Sequence, residues 1–141
     1  AIEHLNTLLN YPNITSKDRI LAHLQISKML SNENNNEQAL NIIQDCFSES
    51  VSLDIYCSCS FYNVHILIIQ NKFETAKVFL NNILKQCSFD KFYFNHGNFI
   101  LGEIYENLDD KLQALHAYEK ILGSHPNSLL IKTKIKHLNI K

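Results

Sequence analysis

The residues best suited to metal or redox chemistry are four cysteines, Cys46, Cys57, Cys59 and Cys87, and seven histidines, His4, His23, His65, His96, His116, His125 and His137. Cys57 and Cys59 look like half of a metal site. On a helix, however, residues two apart point roughly 200° away from each other, so one ion cannot take both thiolates. No His-x3-His pair and no His-Glu-x2-His stands in the sequence, so zinc chemistry has no ligand set. The thiols are expected to be reduced and partly buried. Nucleophilic catalysis lacks its motifs: there is no Gly-x-Ser-x-Gly and no glycine loop to cradle phosphate. Asp109, Asp110 and Glu33 fall in turns, where acids are ordinarily solvated. Neither an enzyme nor a metal or other cofactor is expected. Lys132, Lys134, Lys136 and Lys141 could meet nucleic acid or anionic lipid, but they also suit the solvated face of a terminal helix. With 13 basic against 14 acidic residues, the net charge is −1. That disfavours electrostatic capture of a polyanion, so neither nucleic acid nor membrane is expected as a partner.

The elements that must position these side chains are helices. A chain of 141 residues with 3 Gly and 2 Pro has too few turn formers for a sandwich, a barrel or a nucleotide-binding α/β fold. It is long enough for one domain with a sizeable core. Its longest apolar stretch, near Val64 to Ile69, is far shorter than the ~20 residues of a membrane span. The opening AIEHLNTLLN lacks a basic start and a cleavage site. A cytoplasmic location is the expectation.

An internal repeat gives the organisation. Ala114 is followed by Tyr118, Ile121 and Leu122; Ala76 by Leu80, Ile83 and Leu84; Ala39 by Ile43, Cys46 and Phe47; Ala1 by Leu5, Leu8 and Leu9. The alanines are 38, 37 and 38 residues apart. A small residue at this position lets two antiparallel helices approach closely, and the large residues after it fill the space beyond. Helices are expected at about 1–10, 16–31, 37–49, 53–70, 73–86, 91–107 and 111–123, with a last one at 127–139. Thr15 or Ser16 can cap the second of these. In the last, Leu130 or Ile131, Ile135 and Leu138 form the apolar stripe, while Lys132, Lys134 and Lys136 face water.

Residues 95–128 carry Leu101, Gly102, Tyr105, Ala114, Tyr118 and Pro126 at the spacing of a tetratricopeptide repeat, which the segment resembles. The early aromatic of that family is replaced by Asn98. The resemblance implies an all-α, right-handed superhelical solenoid of helix pairs. One domain over 1–141 would hold a partial repeat at 1–15, complete repeats at 16–52, 53–90 and 91–126, and a capping helix at 127–141. The lone helix at the start implies a piece of a longer array, or a surface for self-association.

In this family the first helix of each pair lines a concave wall. Carried over by register, the wall holds Leu21, Leu24, Lys28 and Ser31, then Ser58, Phe61, His65 and Ile68, then His96, Phe99, Glu103 and Glu106, with Tyr62 beside Phe61; of these, Leu24, Lys28, Phe61, Tyr62, His65, Ile68, His96, Phe99 and Glu103 are the expected partner-binding residues. Leu24, Phe61 and Phe99 would form an apolar ladder with partly exposed rings, and Lys28 and Glu103 would put opposite charges at its ends. The clamp that grips acidic chaperone tails is not matched: its positions here are Leu24, Lys28, Tyr62, His96 and Ile100, of which only Lys28 is basic. The resemblance implies non-catalytic binding of a protein or peptide in the groove, as adaptor or scaffold. The alternatives are a ligand-sensing regulatory domain and a purely structural segment of a larger helical array.

Overall fold

The computed structural model describes residues 2–48 and 52–139. These form the helices α1 (Ile2–Leu9), α2 (Ser16–Asn32), α3 (Asn36–Ile43), α4 (Asp45–Ser48), α5 (Leu53–Ile69), α6 (Phe73–Cys87), α7 (Lys91–Asn107), α8 (Lys111–Ile121) and α9 (Ser128–Asn139). No strand occurs among the described residues. The helices lie where the periodicity puts them, with one difference. The helix expected at 37–49 breaks at Gln44 into α3 and α4. The Gln44 side chain donates to the Leu40 carbonyl at 3.1 Å and to the Asn63 amide oxygen at 3.3 Å. It thereby satisfies a buried polar group on α5 that an apolar residue would leave unpaired.

The repeat is visible in the backbone as well as in the side chains. α2, α5 and α7 each run 17 residues. Their N-caps are Thr15, Ser52 and Asp90, whose side chains accept from the backbone N–H of Asp18, Ile55 and Phe92 at 3.1, 3.2 and 2.7 Å. Each cap satisfies a donor that the first helical turn cannot. Two positions beyond the end of each of the three helices stands a residue with left-handed backbone: Asn34 at φ 61°, Asn71 at 58° and Asp109 at 59°. Asn and Asp tolerate this region better than other residues with a Cβ. After Asn34 and Asp109, the next residue closes back on the helix: Asn35 N–H donates to the Leu30 carbonyl at 2.8 Å, and Asp110 N–H to that of Tyr105 at 2.9 Å. Five residues beyond each left-handed position stands the core alanine: Ala39, Ala76 or Ala114, all fully buried. The first alanine of the series, Ala1, lies outside the described residues. Replacing Asn71 by Val should cost about 1–2 kcal/mol, because a β-branched side chain is strained there. Asn71→Gly should be neutral or slightly stabilising. Urea melts of the two variants check this, and equal midpoints would mean that the turn is not under this constraint.

Two compact units divide the chain, Ala1–Asn71 and Lys72–Lys141. In the first, Ile20, Leu24, Ile43, Cys46 and Cys59 form the core, with Leu40, Phe47, Ile55 and Tyr62 packed against it. Ser27 Oγ donates to the Ala39 carbonyl at 2.8 Å, tying α2 to α3. α1 packs on α2 but buries none of its own residues. In the second unit, Ala114, Tyr118, Ile121 and Ile131 are fully buried, ringed by Phe94, Phe99, Tyr105, Ile135 and Leu138. Each large side chain buried in this way contributes roughly 1.5–3 kcal/mol of transfer free energy. Gly102 on α7 meets the Tyr118 ring of α8 so closely that a Cβ built on it would stand 2.5 Å from a ring carbon.

α9 starts after Asn127, whose side-chain oxygen accepts from the Leu130 N–H at 3.1 Å. Ile131 is its fully buried anchor, with Ile135 and Leu138 half-buried beside it. Lys132 and Lys136 are exposed as expected, but Lys134 is not. Residues two apart lie on opposite sides of a helix, so three alternate lysines cannot share a solvent face. Lys134 turns inwards. Its Nζ lies 3.6 Å from both the Glu103 and the Glu106 carboxylates, over the faces of Phe99 at 5.7 Å and Tyr118 at 5.9 Å.

Candidate interaction surface

The residues carried over to the concave wall divide into core and surface. Leu24 is 5% exposed and belongs to the core of the first unit. Phe61 is 7% exposed, which corrects the expectation of an accessible ring. It stands four residues after Cys57 and three before Val64, both fully buried, so its side of α5 faces inwards. Phe99 is half-buried against Tyr118 at 5.8 Å and His125 at 5.9 Å, beneath Lys134. An open ladder of exposed rings is therefore absent: two of the three rungs are core, and α9 covers the third.

What α2 and α5 do bring together in the first unit is a polar–aromatic cluster. Lys28 Nζ sits 5.6 Å above the Tyr62 ring, and Tyr62 leans on His65 at 5.4 Å with the rings tilted by 41°. His65 is exposed, while Lys28, Tyr62 and Ile68 are half-buried. A cation over a tyrosine face contributes about 0.5–1 kcal/mol at an exposed site, enough to orient the lysine without removing it from solvent. The cluster offers a positive charge, two hydrogen-bonding tips and an apolar flank.

In the second unit, His96 is exposed on α7 and stacks on Phe92 at 5.4 Å with an interplanar angle of 20°. Phe92, 63% exposed, was not singled out by the sequence reading; its position four residues before His96 is the signal that could have found it. Glu103 is half-buried and paired with Lys134, so its charge is already committed within the chain. Glu106, Lys134 and Tyr118 complete that cluster. Burial, with the neighbouring Glu106 and Glu103 carboxylates, pushes the Tyr118 hydroxyl above its ordinary range.

A cleft of about 280 Å3 in the same unit is lined in part by Lys85, Lys120, Asn81 and Asn98. The Asn98 amide is spent on the Phe94 carbonyl at 2.9 Å, and no carboxylate, histidine or cysteine lines the cleft. Among the described residues, no group of three or more His, Cys, Asp and Glu could hold a metal ion. None of the described helices is long and apolar enough to cross a membrane. Cys46 and Cys59 are free thiols, both buried. Cys57 and Cys87 are each disulfide-bonded, which corrects the expectation that every thiol is reduced.

No protein-family model matches the sequence, and no curated protein matches it. Solved structures do. A crystal structure of MamA superposes with a TM-score of 0.75 at 13% identity, over 97% of this chain and 74% of that one. A second, of MamA protein, gives 0.75 at 14% identity, over 98% and 69%. A third, the MamA RS-1 ArsTM double mutant, gives 0.66 at 12% identity, over 97% and 82%. MamA is a TPR-like helical-repeat protein. At such identities the likeness carries the fold alone: the chain is all-α, a helical repeat of the solenoid class.

Proposed function

We propose that the chain is a non-catalytic interaction module that binds a peptide or helix of a protein partner. The observation that carries this reading is the Lys28–Tyr62–His65 cluster, which stays at least partly solvent-accessible on the first helices of two successive repeats. An aromatic flanked by a charge and an imidazole is the kind of anchor that protein surfaces use, and such anchors carry most of the energy of an interface. Of the residues carried over by register, Lys28, Tyr62, His65 and Ile68 are assigned to the contact. Leu24 and Phe61 are assigned to its support from beneath. His96, with Phe92, is a separate accessible patch.

The test is partner capture by the chain carrying Lys28→Glu and Tyr62→Ala. Truncating an anchoring aromatic typically costs about 2 kcal/mol or more of binding. Losing a half-buried ring and a surface cation–π contact should shift the melting temperature only modestly. Loss of a partner that the unaltered chain retains, with the melt nearly unchanged, supports the reading. Retention of the same partner at the same affinity refutes it.

A further inference from the structure

The cleft of the second unit has no part in the proposed binding role, which rests on the first. α6, α7 and α8 wall it. Leu84 on α6, with Phe94 and Leu101 on α7, gives it an apolar lining. Lys85 on α6 and Lys120 on α8 line it as well, and both are exposed. Among the described residues neither of these lysines is ion-paired, whereas Lys77 is held by Glu74 and Lys134 by Glu103 and Glu106. No acidic side chain lines the cleft. Glu119, beside Lys120 in the sequence, stands about 100° away around α8. Asn98, itself 4% exposed, adds a donor: its amide has two N–H groups, and the Phe94 carbonyl takes one of them. The other polar groups are committed. Ser88 Oγ donates to the Leu84 carbonyl, and the Asn81 amide donates to the Lys77 carbonyl and the Tyr105 hydroxyl.

We infer that this cleft is a binding site for a small amphipathic carboxylic acid, its carboxylate held by Lys85 and Lys120 and its apolar body set against Leu84, Phe94 and Leu101. The charge of the ligand follows from the donors. Two ammonium groups and one amide N–H match a carboxylate. A phosphate dianion is best met by an arginine fork or by the N–H groups of a helix start. No arginine lines the cleft, and both lysines stand in the last turns of their helices, where the partial charge is negative and repels a dianion. The apolar residues set the rest of the ligand. Small-molecule pockets are mostly apolar, with a few polar groups that fix orientation. A volume of about 280 Å3 takes a short acid rather than an element of a folded partner. The site is separate from the Lys28–Tyr62–His65 cluster, so either reading can fail alone.

The test titrates the whole isotope-labelled chain with sodium octanoate at constant ionic strength and follows the backbone amide resonances. Saturable shifts are expected at Leu84, Ser88, Asn98 and Lys120. Octanamide, which has the same body without the charge, should bind about tenfold more weakly. Acetate, which lacks the body, and inorganic phosphate should give no saturable shift at these residues. Lys85→Gln and Lys120→Gln should each weaken octanoate about threefold, and together about tenfold. Lys91→Gln, an exposed lysine outside the cleft, should leave the affinity unchanged. If the two lysines serve only the helix ends, their loss will lower the melting temperature and leave octanoate affinity as it was, which overturns the inference. So does octanamide binding as tightly as octanoate, phosphate saturating the same resonances, or octanoate producing no saturable shift in the unaltered chain.

Discussion

Gly102→Val is expected to lower the stability of the chain by about 3 kcal/mol, at the upper end for overpacking a well-filled core. The cause is local. A Cβ at this position would lie 2.5, 2.6 and 2.9 Å from three atoms of the Tyr118 ring. That ring is fully buried, with Phe99 beside it and Lys134 across its face, so it cannot swing aside into solvent. Gly102→Ala meets the same ring with a smaller load. It should cost about 1–2 kcal/mol net, because overpacking is partly offset by the better helix propensity of Ala. Gly123 is the control: nothing lies within 4 Å of its hypothetical Cβ, and Gly123→Ala should be neutral to slightly stabilising. Equilibrium denaturation of the three variants reads the comparison directly. A Gly102→Val chain as stable as Gly123→Ala would show that the α7–α8 approach is wrong.

Tyr118→Ala should cost about 3–5 kcal/mol, the range for emptying a large aromatic site in a core. It removes the ring on which Gly102, Phe99 and Lys134 all depend. The second-unit core, with Ile121 and Ile131, would then surround a void. Combining Tyr118→Ala with Gly102→Val tests the contact itself. The valine fills part of the space that the ring leaves, so the double variant should be more stable than the sum of the two losses predicts, by about 1 kcal/mol or more. Strict additivity would mean that the two residues do not share one site.

The two residues also show what the sequence makes legible and what it hides. Small and large positions recur at fixed offsets from the caps: Ser27, Val64 and Gly102 on the first helices, Ile43, Leu80 and Tyr118 on the second. The smallest residue of the first set stands in the same repeat as the largest of the second. That pairing, like the helix spans, the Thr15 cap and the buried alanines, follows from periodicity, because a helix repeats its faces every few residues. The left-handed turns at Asn34, Asn71 and Asp109 are equally periodic but carry no distinct signal, since Asn and Asp there look like ordinary polar loop residues. Phe61 and Lys134 depart from expectation for another reason. Register gives the face a residue occupies but not what lies across from it. α5 is apolar on several sides, so a groove-facing ring and a core ring carry the same sequence signal. The charge of Lys134 alone points to water, although Glu103 and Glu106 provide its partners far away in the sequence. The Lys28–Tyr62 contact joins helices more than thirty residues apart and has no sequence signal of its own.

From each N-cap to the left-handed residue is nineteen positions, and from there to the core alanine five, in all three repeats. The variation lies elsewhere. Ala39 to the next cap, Ser52, is thirteen residues, and Ala76 to Asp90 is fourteen. One segment of the repeat thus absorbs a change in chain length while the other does not. Caps, left-handed turn and close helix approach lock the first segment, where one added residue would turn each later side chain by roughly 100° off its face. The second segment ends in a connection between helices, where a residue can be gained without turning any buried side chain. Insertions and deletions in chains of this kind should therefore collect between the core alanine and the next cap, which makes that stretch the natural place to lengthen a repeat.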